Sequence, residues 1–141
     1  MKKAIKFISR AALVGAIYAV LTLALYPISF GAVQFRLSEA LTLLPLLIPE
    51  AIPGLFVGCL VSNIIGGFGP VDIIFGSIAT LLAAIFSRLL RKYPLLVPLP
   101  PVVFNALIVG SYLKFLYLKD VPLLASIGWV ALGELMACYA L

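Results

Sequence analysis

The sequence encodes an all-α membrane protein, a single domain over residues 1–141 with six transmembrane helices and both termini in the cytoplasm. Composition, the length of the apolar runs and the parity of the basic clusters each lead there. Hydrophobic residues make up 65% of the 141 and charged residues 11%, against roughly 45–50% and about 25% in ordinary soluble domains. A chain this short keeps much of its surface exposed in water, so the solvent for so much apolar surface must be lipid. Five acidic residues and no histidine exclude most hydrolytic and metal-centred enzymes, and no cofactor or metal is expected. The net charge of +5 is placed by topology and is not a nucleic-acid patch. Cys59 and Cys138 both lie in apolar runs, which argues against a structural disulfide.

Uncharged stretches cover residues 11–35, 51–71, 73–87 and 93–113, with a shorter one at 121–133. A spanning helix needs about 20 apolar residues. The start, Met1-Lys2-Lys3 followed by apolar residues, has the outline of a signal peptide. Its apolar run is too long and is interrupted at Ser9-Arg10, so a first transmembrane helix is expected instead. Residues 37–66 allow one long tilted helix or two shorter ones hinged at Ile48-Pro49-Glu50-Ala51-Ile52-Pro53-Gly54. Two prolines and a glycine break a helix unless neighbours repair it.

Charge parity decides. Lys2, Lys3, Lys6 and Arg10 form one basic cluster; Arg88, Arg91 and Lys92 form another. The positive-inside rule puts both in the cytoplasm, so an even number of crossings separates them. With one crossing at residues 11–26 and one at 71–87, residues 37–66 contribute two, turning at 49–53. Residues 101–118 and 121–141 bring the count to six. The chain stops at Leu141 without a basic flank, so the last helix is expected to be cut short.

Three loops then face outward: residues 27–38, 66–71 and 119–121. The first carries Phe30, Gln34, Phe35 and Arg36, with Glu39 just beyond. Arg36 and Glu39 are close enough to pair at the start of a helix near Leu37. The pair is either an interfacial ion pair with Ser38 as helix cap, or one wall of a solute pocket with Gln34, Phe30 and Phe35. In the second loop Pro70 suits a first helical turn, and Asp72 either sits at the positive end of that helix or belongs to the site. Asn63, near the outer end of the third helix, either contacts solute or hydrogen-bonds a neighbouring helix.

Glu134 lies about 20 Å along the last helix from Val121, too deep to snorkel. A carboxylate there costs about 2.5–3.5 kcal/mol on insertion scales, so it needs a partner or a wet cavity. Asn105 is the other deep polar group, placed nearer the inner end by this topology. Ala12 and Ala16, and Ala11, Gly15 and Ala19, form a small-residue face on the first helix. Such a face serves internal packing or the docking of another membrane subunit. The chain has no G-x-x-x-x-G-K-[ST] phosphate loop, and without histidine no His-bearing triad or H-E-x-x-H site. It is not expected to be an enzyme, and the energy for any pumping must come from elsewhere.

Six stretches carry a resemblance: Pro27-Ile28-Ser29-Phe30-Gly31, Val33-Gln34-Phe35-Arg36-Leu37-Ser38-Glu39-Ala40-Leu41-Thr42, Ala51-Ile52-Pro53-Gly54-Leu55-Phe56-Val57-Gly58-Cys59, Asp72-Ile73-Ile74-Phe75-Gly76-Ser77, Pro100-Pro101-Val102-Val103-Phe104-Asn105-Ala106-Leu107-Ile108-Val109-Gly110 and Gly133-Glu134-Leu135. Together they resemble the QueT family of predicted queuosine-precursor transporters, the substrate-binding S components of energy-coupling factor (ECF) transporters. The resemblance implies a six-helix S-component bundle in the bacterial plasma membrane, with its pocket open outward. It implies as partners a transmembrane coupling protein and two cytoplasmic ATPases, with Ala12, Gly15 and Ala16 in the docking element. Transport would follow from the whole subunit toppling in the membrane. The implied solute is a 7-deazaguanine: the aminomethyl or cyano precursor of queuosine, or queuine. Glu39 or Glu134 would accept its two adjacent N–H groups, and Asn63, Asn105 or Arg36 would donate to its carbonyl. Phe30, Phe35 or Phe68 would stack on the ring, and Asp72 would suit a cationic arm. Two rival readings stay open: a self-sufficient transporter in which Glu134 and Asp72 carry protons, and a purely structural membrane subunit.

Overall fold

The structure, a computed structural model, describes residues 1–30, 35–67 and 69–140. Among them there is no strand. The elements are α1 (Lys2–Ala24), the short α2 (Tyr26–Ser29), a 3-10 helix (Leu37–Leu46) and α3 (Ala51–Gly66). A π turn (Asp72–Gly76) then runs into α4 (Ser77–Leu89), and a 3-10 turn (Pro94–Leu96) precedes α5 (Leu99–Phe104). A second π turn (Asn105–Val109), α6 (Gly110–Leu116) and α7 (Leu123–Tyr139) complete the chain. Six apolar helical segments result. Three of them, Lys2–Ala24, Asp72–Leu89 and Pro94–Leu116, are long and apolar enough to cross a membrane.

The break expected within residues 37–66 is present, but it falls at residues 47–50 and not at 49–53. Pro53 is absorbed into the first turn of α3, where its missing N–H has no intrahelical acceptor to lose. The helix before the break is wound as a 3-10 helix, in which residues three apart eclipse. Its buried Glu39, Thr42 and Pro45 follow that period. Gly67 ends α3 in the left-handed region at φ 72°, its N–H bonded to the Asn63 carbonyl, a conformation that costs glycine nothing.

Contacts at the two ends fix the directions of the segments. At one end Arg10 Nη1 lies 3.2 Å from Glu50 Oε1. Arg88 donates to the Pro45 and Leu46 carbonyls at 2.9 and 3.4 Å, and the Tyr139 hydroxyl to the Leu95 carbonyl at 3.1 Å. Both basic clusters, the 47–50 turn and the end of α7 therefore share one face. At the other end Tyr26 donates to the Gly66 carbonyl at 3.0 Å, and Lys114 to the Lys119 carbonyl at 2.6 Å. Consecutive segments alternate in direction.

The burial pattern is inverted relative to a water-soluble protein. Arg36, Glu39, Asn63, Asp72, Asn105 and Glu134 are buried, whereas Leu95 is 84% and Leu124 82% exposed. Three of the chain's five acidic residues are inside. An exterior of bare aliphatic side chains around a polar interior is stable only in lipid.

Helices α1 and α3 approach most closely through glycine. A Cβ at Gly54 would lie 2.5 Å from the Ala11 carbonyl oxygen, one at Gly58 2.6 Å from that of Gly15, and one at Gly15 2.8 Å from that of Gly54. Gly54 and Gly58, four apart on α3, thus mesh with the small face of α1. Gly15 belongs to this internal contact, while Ala12 and Ala16 remain exposed. Beside them a groove of about 480 Å³ runs between α1 and α3, walled by Phe7, Ile8, Val57 and Val61.

Candidate functional site

The buried polar side chains gather in two layers along the bundle axis. The layer nearer the Tyr26–Gly66 end holds Arg36, Asn63, Asp72 and Tyr112. Arg36 leads into the 3-10 helix, and its Nε donates to the Ser29 carbonyl at 3.3 Å. Its guanidinium sits 5.1 Å from the centre of the Phe30 ring, within cation–π range. Nη2 lies 4.0 Å from Asp72 Oδ1, an ion pair too long to be a hydrogen bond. The Tyr112 hydroxyl donates to that same Oδ1. Asn63 donates to the Asp72 carbonyl at 3.1 Å and to Cys59 Sγ at 3.5 Å. Gly76 makes this density possible, since a Cβ there would lie 2.9 Å from Asn63 Nδ2 and 3.4 Å from the Tyr112 hydroxyl.

The deeper layer is built on Glu39. The Tyr18 hydroxyl and Thr80, the latter at 3.3 Å, donate to Oε1. Asn105 donates to Oε2 at 3.3 Å. Glu134, on α7, faces the same Asn105 amide and the Glu39 carboxyl. Below them Thr42 donates to the Glu39 carbonyl at 2.5 Å and Cys138 approaches it at 3.6 Å. Thr80 also reaches Cys59 Sγ at 3.4 Å, which ties the two layers together.

Not every buried atom is partnered. Among the described residues, Arg36 Nη2, Asn63 Oδ1, Asp72 Oδ2 and Glu134 Oε2 have no hydrogen-bond partner. Buried polar groups are nearly always paired, and each exception asks for an explanation. In the outer layer these atoms amount to one open donor beside two open acceptors. Two of the site residues, Asp72 and Asn105, open the two π turns seen among the described residues, and such turns are frequent at functional sites.

Of the residues expected from sequence, Arg36, Glu39, Asn63, Asp72, Asn105 and Glu134 converge here. Phe30 contributes through its contact with Arg36. Phe35 is half-buried, and no polar contact ties it to the cluster. Gln34 and Phe68 lie outside the described residues. Three expectations are corrected. Arg36 does not pair with Glu39: it turns to Asp72, and Glu39 turns to donors on α1, α4 and α5–α6. Ser38 caps nothing, because its hydroxyl meets Thr22 Oγ1 at 2.5 Å. Asn105 is not remote from the site but stands at its centre. The sequence reading missed Tyr18 and Thr80, whose signal is a hydroxyl inside an apolar run, Tyr112, which follows Ser111, and Cys59, one helical turn from Asn63. Both cysteines are free thiols.

Residues 8–141 match the QueT transporter family. The chain belongs to that family. Over 141 aligned residues it is 31% identical to the queuosine precursor transporter QueT of Lactococcus lactis subsp. cremoris (strain MG1363), a match that covers 91% of this chain and 83% of that one. No solved structure matches it. Membership in the QueT family makes this a transporter.

Proposed function

We propose that the chain is the membrane-embedded substrate-binding subunit of an ECF-type transporter in the bacterial plasma membrane. It spans the membrane six times with both termini in the cytoplasm. It captures a 7-deazaguanine precursor of queuosine from outside, and a coupling protein with two ATPases drives uptake. The observation that carries this reading is the set of atoms left open in the outer layer: Arg36 Nη2, Asp72 Oδ2 and Asn63 Oδ1 have no hydrogen-bond partner among the described residues. A guanine-type edge presents a carbonyl, a ring N–H and an exocyclic amine in sequence. One open donor and two open acceptors match those three groups in kind, and the Phe30 ring supplies an aromatic face beside Arg36. The sequence assigned the N–H groups to Glu39 or Glu134. The open valences favour Asp72 and Asn63 instead, because Glu39 already accepts from three donors. The exposed Ala12 and Ala16 beside the α1–α3 groove supply a close-approach face for the coupling protein.

Equilibrium binding to the detergent-purified chain tests this reading, with queuine and the aminomethyl precursor as ligands and riboflavin and biotin as controls. Saturable, deazaguanine-selective binding is expected, and Asp72→Ala should weaken it about tenfold or more. A folded sample that binds neither deazaguanine sinks the reading. The unpartnered Glu134 oxygen also favours a rival, a proton-coupled transporter that works alone. Uptake that persists without the ATPases and collapses with the proton gradient would establish that rival instead.

A further inference from the structure

The buried cluster holds one cation, Arg36, and three carboxyl groups, Glu39, Asp72 and Glu134. Arg36 is engaged in the outer layer, between Asp72 and the Phe30 ring. Glu39 accepts hydrogen bonds on both of its oxygens, from Tyr18, Thr80 and Asn105. Glu134 differs from both. It is 2% exposed, its Oε2 has no hydrogen-bond partner among the described residues, and its charged neighbours are the like-charged Glu39 in the same layer and, farther off in the outer layer, Arg36. A buried carboxyl beside another carboxyl, with no lysine or arginine in its own layer, is an incomplete arrangement. A glutamine would serve Asn105 equally well, so that hydrogen bond does not by itself call for an acid here.

We infer that Glu134 is the seat of a positively charged amine on the ligand, so that the site selects deazaguanines bearing a protonated aminomethyl arm over those bearing a neutral nitrile. The inference rests on the deazaguanine reading above and deepens it. The ring edge is read in the Arg36–Asp72–Asn63 layer, and the arm extends toward the deeper layer, where negative charge is in excess. The direction is set by the chain itself: Arg36 and Glu39 are three residues apart on a 3-10 path, or about 6 Å at 2.0 Å per residue. A primary alkylamine is protonated at neutral pH, as lysine is, and a charge-assisted hydrogen bond to a carboxylate is stronger than a neutral one. A nitrile offers only an acceptor, which would face the Glu134 acceptor oxygen without a proton between them.

The test compares binding of the aminomethyl- and cyano-7-deazaguanines to the purified full chain and to its Glu134→Gln variant, which keeps shape and removes charge. The wild type should bind the amine about tenfold or more tightly than the nitrile. Glu134→Gln should abolish that preference by weakening the amine while leaving the nitrile within about twofold. Equal affinities in the wild type, or a variant that weakens both ligands alike, would overturn the inference and leave the deazaguanine reading standing. If neither ligand binds a folded wild-type sample, the deazaguanine reading itself falls and takes the inference with it.

Discussion

Glu39 and Glu134 face one another across Asn105, yet their surroundings give them opposite roles. Glu39 holds donors from three elements and so works as a structural hub. Replacing it by alanine would orphan the Tyr18 hydroxyl and take one acceptor each from Thr80 and the Asn105 amide, at about 1–3 kcal/mol for a group left unsatisfied. Glu39→Ala should therefore lower the thermal midpoint of the ligand-free protein in detergent by many degrees, with Glu39→Gln milder because it still accepts on one oxygen. An unchanged midpoint in the alanine variant would mean that the hub is not formed. Arg36 is a second case of a residue defined by its surroundings. Its planar fork stacks on Phe30 while reaching Asp72, which a lysine cannot do. Arg36→Lys should weaken deazaguanine binding about tenfold despite keeping the charge.

The contact between α1 and α3 separates packing from docking, two uses of small residues that spacing alone could not divide. Gly15, Gly54 and Gly58 lie where a Cβ would meet backbone. Gly58→Ala should therefore destabilise the folded protein by about 1–3 kcal/mol, as overpacking does, seen as a lower unfolding midpoint. Ala16 is exposed, so Ala16→Leu should leave that midpoint unchanged and abolish co-purification of the coupling protein. Retained co-purification would move the docking face elsewhere. Much at this scale was legible in the sequence: the six apolar segments, a break within residues 37–66 and the small face of α1. Other features were not, for physical reasons. The Arg36–Glu39 spacing suggested a local pair because only local spacing is visible in a sequence, whereas the true partners, Asp72 and Tyr112, are brought in by tertiary packing. Taking the fifth crossing as residues 101–118 puts Asn105 near its inner end. The helix in fact starts at Leu99, where first-turn prolines cost little, and a short 3-10 turn precedes it.

Across the whole molecule the inverted burial pattern carries the membrane assignment, and the end contacts carry the direction of each segment. Together with the basic clusters they predict sidedness. A Lys119→Cys variant should react with a membrane-impermeant maleimide in intact cells, and Arg91→Cys only after permeabilisation. The two native thiols are buried and should stay silent. The opposite labelling pattern would invert the topology. Helix lengths have a consequence of their own. The 3-10 helix has 10 residues, about 20 Å at its rise per residue, and the 16-residue α3 reaches about 24 Å, against a hydrocarbon core of about 30 Å. One flank of the bundle is thus shorter than the membrane it sits in, while α1 on its far side of the shared contact is longer. Lipid chains must compress against the short flank, and tilting the bundle relieves that strain. Thickness then becomes a variable of stability: in vesicles of short-chain phosphatidylcholine the protein should unfold at a higher temperature than in long-chain ones.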